Sequence, residues 1–100
     1  MNEKYRGKDI RGKWHYGKLS GSYIVKNDGD QVLVVKESIG RLCPISEDKG
    51  EPLYEGDVLL TKLKDGSIFK GTLLAENDWF ISDGFKAVPL DIIESIKVLK

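Results

Sequence analysis

The sequence predicts an all-β chain, with a small barrel in the C-terminal half and an N-terminal β-hairpin extension packed on it. Two observations carry this. Apolar residues recur at period two in short runs bounded by Gly, Asp and Asn, and no segment sustains a 3.6-residue apolar repeat. One hundred residues at 40% hydrophobic content suffice for one compact domain and not for two independent cores. We divide that domain, 1–100, into an N-terminal β segment (1–45), a polar loop (46–56) and the barrel (57–100).

In the N-terminal segment Trp14 and Tyr16 alternate with His15 and Gly17, Gly21 interrupts, and Tyr23 to Val25 resumes. Asn27, Asp28, Gly29 and Asp30 then turn the chain into Gln31 to Lys36. The run Val32, Leu33, Val34, Val35 is apolar on both faces, which predicts a central strand buried on both sides between the barrel and a second layer. Ser46 to Pro52 is too polar and too rich in Gly and Pro to bury or to sit inside a regular element.

From 57 to 64 the chain alternates, with Leu59, Thr61 and Leu63 on one face. Asp65 and Gly66 supply the signal of a two-residue type I′ hairpin with positive φ at both positions. Ser67 to Ala75 follows, with Phe69, Gly71, Leu73 and Ala75 on one side. After a turn at Glu76 to Asp78 come a short strand at Trp79 to Ile81, a turn at Asp83 and Gly84, and a fourth strand from Phe85 to Val88. Pro89 suits the first position of a helical turn over Leu90 to Ile93, and Ser95 to Leu99 closes as a fifth strand. Four meandering strands, one helical turn and a closing strand make the order of an SH3-like barrel. Its expected core is Leu59, Leu63, Phe69, Leu73, Ile81, Val88, Ile96 and Val98. Lys64, Asp65, Gly66 with Lys70, Gly71 is also similar to the first half of an Sm-like domain.

Several of these segments together carry a family likeness. Tyr5, Arg6, Gly7 and Lys8 open the chain, Trp14 and Tyr16 precede Gly17, Ser38, Ile39 and Gly40 form a step, and Glu47 to Val58 leads into the next strand. In this order and spacing the chain resembles the YopX family of small phage and prophage proteins. It departs from the family's pattern at Arg41, Leu42 and Cys43. The resemblance implies a phage or prophage accessory protein of unassigned role, with no catalytic motif to carry over.

The net charge is zero, from 16 basic and 16 acidic side chains, yet residues 1–26 sum to +5 and the remainder to −5. Overall neutrality removes the long-range field that nucleic-acid binders exploit, so pairing of the two halves, within or between copies, is the favoured reading. Residues 1–9 hold no apolar leader core and no run approaches a membrane span, so a soluble, cytoplasmic chain is expected. The single Cys43 rules out an intramolecular disulfide and reads as a small buried hydrophobe. His15, the only histidine, reads as a partly exposed strand residue. The acidic residues Glu47, Asp48, Glu51, Glu55 and Asp57 lack the spacing of a calcium loop and read as a solvated loop.

Neither an enzyme nor a cofactor is expected. Binding is the class the sequence favours: a protein-binding or self-assembling module whose open barrel edge pairs with a host or phage protein or with another copy as a homo-oligomer. The alternative is an anion, nucleotide or nucleic-acid surface built from Tyr5, Arg6, Lys8, Arg11, Lys13, Trp14, Tyr16 and Lys18, whose aromatics would stack bases while the cations track phosphates.

Overall fold

A computed structural model describes residues 4–99, and the chain is all-β, its strands forming antiparallel sheets. It divides into two compact units, Met1–Leu42 and Cys43–Lys100. Unit 1 contains β1 (Tyr5–Lys8), β2 (Trp14–Ser20), β3 (Tyr23–Val25), β4 (Gln31–Leu33), a 3₁₀ turn (Lys36–Ser38) and the first residues of β5 (Gly40–Ser46). Its strands lie in the order β4-β3-β2-β1-β5. Unit 2 contains the rest of β5, then β6 (Pro52–Tyr54), β7 (Val58–Leu63), β8 (Ile68–Ala75), β9 (Trp79–Ser82), β10 (Ala87–Pro89), a 3₁₀ turn (Leu90–Ile92) and β11 (Ile93–Val98).

The meander β7 to β10, the 3₁₀ turn and the return of β11 to β7 follow the order read from the sequence. The five-stranded sheet β10-β9-β8-β7-β11 nevertheless remains open, with β10 and β11 at its edges, and does not close into a barrel. Both edges are blunted. Strand β10 has three residues and ends at Pro89, which has no N–H to offer a further strand. On β11 the backbone N–H of Ile96 donates to Asp48 Oδ1 (3.0 Å) and that of Val98 to Glu47 Oε2 (2.8 Å), so carboxylates stand where a pairing strand would accept.

Those carboxylates correct a second expectation. Residues 46–56 are a solvated loop only in part: Ser46 ends β5, Pro52 to Tyr54 form β6 with Leu53 and Tyr54 buried, and Glu47 to Glu51 is the largely exposed tip of the hairpin between them. Asp57 is likewise committed, its Oδ2 accepting the N–H of Tyr54 at 2.8 Å.

The turn at Gly66 also differs from expectation. Gly66 has φ +90°, but no non-glycine residue among the described residues, Asp65 included, has positive φ, which excludes type I′. Instead Gly66 N–H donates to Leu63 C=O (2.9 Å) and Leu63 N–H to Ser67 C=O (2.8 Å), a three-residue loop whose last member is left-handed. The same two hydrogen bonds recur at Asp9 to Lys13, Lys26 to Asp30 and Glu47 to Glu51, with Gly12, Gly29 and Gly50 at φ +87°, +92° and +89°. A single turn geometry therefore makes four of the hairpins.

The core of unit 2 joins Leu59, Leu73, Ile81 and Ile96 from the sheet to Cys43 and Leu53 from β5 and β6. Leu63 and Val88 are buried as expected, while Phe69 and Val98 are partly buried against the cluster. Thr61, on the same face, is buried with its hydroxyl donating to Phe69 C=O at 2.7 Å. Burial raises the pKa of the Cys43 thiol above its usual value, in keeping with a packed rather than a reactive sulfur.

The apolar run at 32–35 is not a central strand. Strand β4 is the edge of its sheet, and Leu33 is 53% exposed. Val34 N–H still donates to Ser22 C=O, one step along the same register, and the chain leaves β3 at Val35, whose N–H donates to Lys8 C=O. Only Val34 is buried, its side chain filling the space over Gly7, where a Cβ would come within 2.8 Å of it.

Candidate interaction surface

In unit 1 the registers Arg6↔Tyr16 and Lys8↔Trp14 set Arg6, Lys8, Trp14, Tyr16 and Lys18 on one sheet face. Tyr5 pairs with Gly17 and lies on the other face. Arg11 and Lys13 are exposed on the β1–β2 turn. The eight residues thus divide among two faces and a loop rather than forming one stripe. Arg6 is only 8% exposed, and its guanidinium carbon sits 4.1 Å from the centroid of the Trp14 ring, with Lys8 Nζ at 4.9 Å from the same centroid. Such stacking is worth about 0.5–2 kcal/mol. A base stacking on Trp14 competes with cations already in place.

His15 is buried rather than partly exposed. Its Nε2 lies 2.9 Å from Asp9 Oδ2, while Asp9 Oδ1 accepts the N–H groups of Arg11 (2.9 Å) and Lys13 (3.0 Å). The His15 bond, then the backbone donors, lower the Asp9 pKa to about 2. One carboxylate therefore braces the whole β1–β2 turn. Among the described residues no three His, Cys, Asp or Glu side chains are grouped to hold a metal ion.

The residue that sequence reasoning missed lies in unit 2. Phe85 does not begin a strand: β10 starts at Ala87, which pairs with Ser82, so residues 83–86 form the loop and the Phe85 side chain is 100% exposed. That loop is fixed. Asp83 Oδ1 accepts the N–H groups of both Phe85 and Lys86 at 2.8 Å, Ser82 Oγ accepts Gly84 N–H at 3.1 Å, and Asp83 N–H donates to Lys86 C=O at 3.2 Å. The Phe85 and Lys86 donors are the chief cause of a lowered Asp83 pKa. The available signal was Asp83 followed by Gly84, whose short side chain and free φ hold the next residues in a turn before pairing resumes.

Phe85 does not stand alone. The registers Val58↔Thr72↔Ser82, Leu60↔Lys70 and Leu74↔Phe80 set Val58, Leu60, Leu74 and Phe80 on the sheet face opposite the core. Val58 and Leu60 are exposed, and Leu74 and Phe80 are half-buried. On that face an open groove is lined by Val58, Lys70, Thr72, Leu74, Asp83 and Gly84, the last being the neighbour of Phe85. A fixed, solvent-facing aromatic beside a partly apolar sheet face has the makeup of a contact site. No helix among the described residues is long and apolar enough to cross a membrane. Comparison with protein-family models, with curated proteins and with solved structures finds no match to the chain.

Proposed function

We propose that the chain is a non-enzymatic protein-interaction module that makes contact through Phe85 and the outer face of its five-stranded sheet. The observation that carries this reading is the full exposure of Phe85 on a loop held by four hydrogen bonds. An aromatic ring left in water forgoes about 1.5–3 kcal/mol of burial, and a rigid loop removes most of the ordering cost of burying it in a partner. Blunted edges on β10 and β11 argue for contact through this face rather than by strand pairing. The reading is compatible with a YopX-like phage accessory protein and an SH3-like strand order, both of which belong to the same proposal. The base-stacking alternative is weaker, because Trp14 already engages Arg6 and Lys8.

A photo-crosslinking phenylalanine analogue at position 85, with the same group at Asn77 as control, tests the reading. Protein adducts at 85 and not at 77 are expected. Adducts only to nucleic acid, or none, overturn it.

A further inference from the structure

We propose that a hollow where β9 begins and β10 ends receives the guanidinium group of an arginine side chain presented by a partner protein. Trp79, Pro89 and Leu90 form its walls, Asp78 and Asp91 border it, and its volume is about 340 Å³. None of the described residues that line it is basic. The inference does not rest on Phe85, and this hollow shares no lining residue with the groove of the outer face.

The two aspartates carry the argument. Unit 2 contains six aspartates, and four of them are engaged by backbone donors: Asp48 by Ile96 N–H, Asp57 by Tyr54 N–H, Asp65 by Ser67 N–H, and Asp83 by the N–H groups of Phe85 and Lys86. Asp78 and Asp91 are the remaining pair. Among the described residues neither carboxylate accepts a hydrogen bond or meets a cation, and both border the same hollow. Pro89 pairs with Phe80, so Leu90 and Asp91 leave β10 at the end where Trp79 and Asp78 lie. Like charges brought together repel, and a cation between them turns the repulsion into attraction.

The walls select the kind of cation. A hard metal ion takes six or so oxygen ligands, whereas Trp79, Pro89 and Leu90 offer apolar surface. Trp79 and Leu90 are packed against the core cluster, so these walls are preset. A guanidinium suits both parts of the hollow: its flat, weakly hydrated face lies against ring and proline carbons while its edge donates to carboxylates. An ammonium holds its water more strongly and has no flat face to lay on the wall.

The test is an amide NMR titration of the isotope-labelled full chain with the capped peptide Gly-Arg-Gly and with its lysine and citrulline counterparts. The arginine peptide should shift the Trp79 indole N–H and the Asp91 amide, leave the Trp14 indole unmoved, and bind in the millimolar range. Asp78→Asn and Asp91→Asn, both at exposed positions, should each weaken binding about two- to fivefold, as loss of one exposed ion pair does. The citrulline peptide, flat but uncharged, should not bind. No shift at about 20 mM arginine peptide, a lysine or citrulline peptide that binds as well, or a double aspartate variant that binds like the parent overturns the proposal. Free arginine binding about tenfold tighter than the peptide would make the ligand a small molecule and overturn it equally. Photo-crosslinking at position 85 reads a different surface, so its outcome stands or falls separately.

Discussion

Among the described residues, unit 1 buries two aliphatic side chains, Ile24 and Val34, together with Arg6, His15 and three glycines, whereas unit 2 buries Leu53, Leu59, Leu63, Leu73, Ile81, Val88 and Ile96. The contrast is one of mechanism. Unit 2 draws on apolar burial, at about 25 cal/mol per Å² removed from water. Unit 1 has little of that and relies on backbone pressed close to backbone: a Cβ on Gly17 would overlap the Val25 carbonyl. It adds a carboxylate brace at Asp9 and cations stacked on Trp14. Burial tolerates small adjustments of side chains, while close backbone approach does not. The two units should therefore fail under different insults.

The largest effect should come from unit 2, where Leu73→Ala opens a void in the core at a position with no exposure. A loss of about 2–5 kcal/mol in urea denaturation is expected, and a variant as stable as the parent would deny unit 2 its core. Gly17→Ala adds one carbon to unit 1 and should cost about 1–3 kcal/mol as overpacking. Hydrogen exchange should show that loss in β2 and β3 first, and uniform loss across both units would erase the contrast.

Acid should loosen turns in both units, since Asp65 and Asp83 of unit 2 also have lowered pKa values, and the Asp9 turn is the case in unit 1. Asp9 in the folded chain has a pKa of about 2 against 3.8 for the free side chain. Its contribution is accordingly complete above pH 3.8 and is lost as pH falls from there towards 2. Protection of the Arg11 and Lys13 amides, taken relative to their intrinsic exchange rates, should fall through that window, and Asp9→Asn should remove that fall; an unchanged protection profile in that variant would assign the brace elsewhere. The smallest effect is expected from Lys13→Ala and Lys18→Ala in low-salt gel shifts with single-stranded DNA or RNA, where parent and variants alike should fail to bind. Micromolar binding whose salt slope drops by about one with each lysine removed would restore the base-stacking alternative.

Unit 2 was the more legible half because its signals are local and periodic. The alternation of Leu59, Thr61 and Leu63, and of Phe69, Gly71 and Leu73, places each on its observed face. Its openness was not legible, because it depends on Asp48 and Glu47 reaching β11 across about fifty residues of sequence. Val32 to Val35 misled for a related reason: apolar character on both faces signals two-sided burial only where the strand has two neighbours, and β4 has one. At the candidate sites, the cations were expected to pair with the acidic half or, in the alternative, to track phosphates, because composition does not reveal that Arg6 lies against a ring. Phe85 was assigned to a strand because an aromatic before an apolar run suggests one, and only the Asp83 bonds to its backbone place it in the loop.

The shared hairpin turn has a consequence for what this chain can display. Each turn is set by one glycine and backbone hydrogen bonds, and the two residues ahead of that glycine differ every time: Ile10 and Arg11, Asn27 and Asp28, Asp48 and Lys49, Lys64 and Asp65. Asp48 caps β11, and Asp28 and Asp65 accept amides two residues on, but Ile10 is 87% exposed and the turn beneath it is held by Asp9. Its tip can be rewritten without shifting a strand by one residue and turning its faces over. A short foreign recognition sequence grafted there would be presented on a preset scaffold.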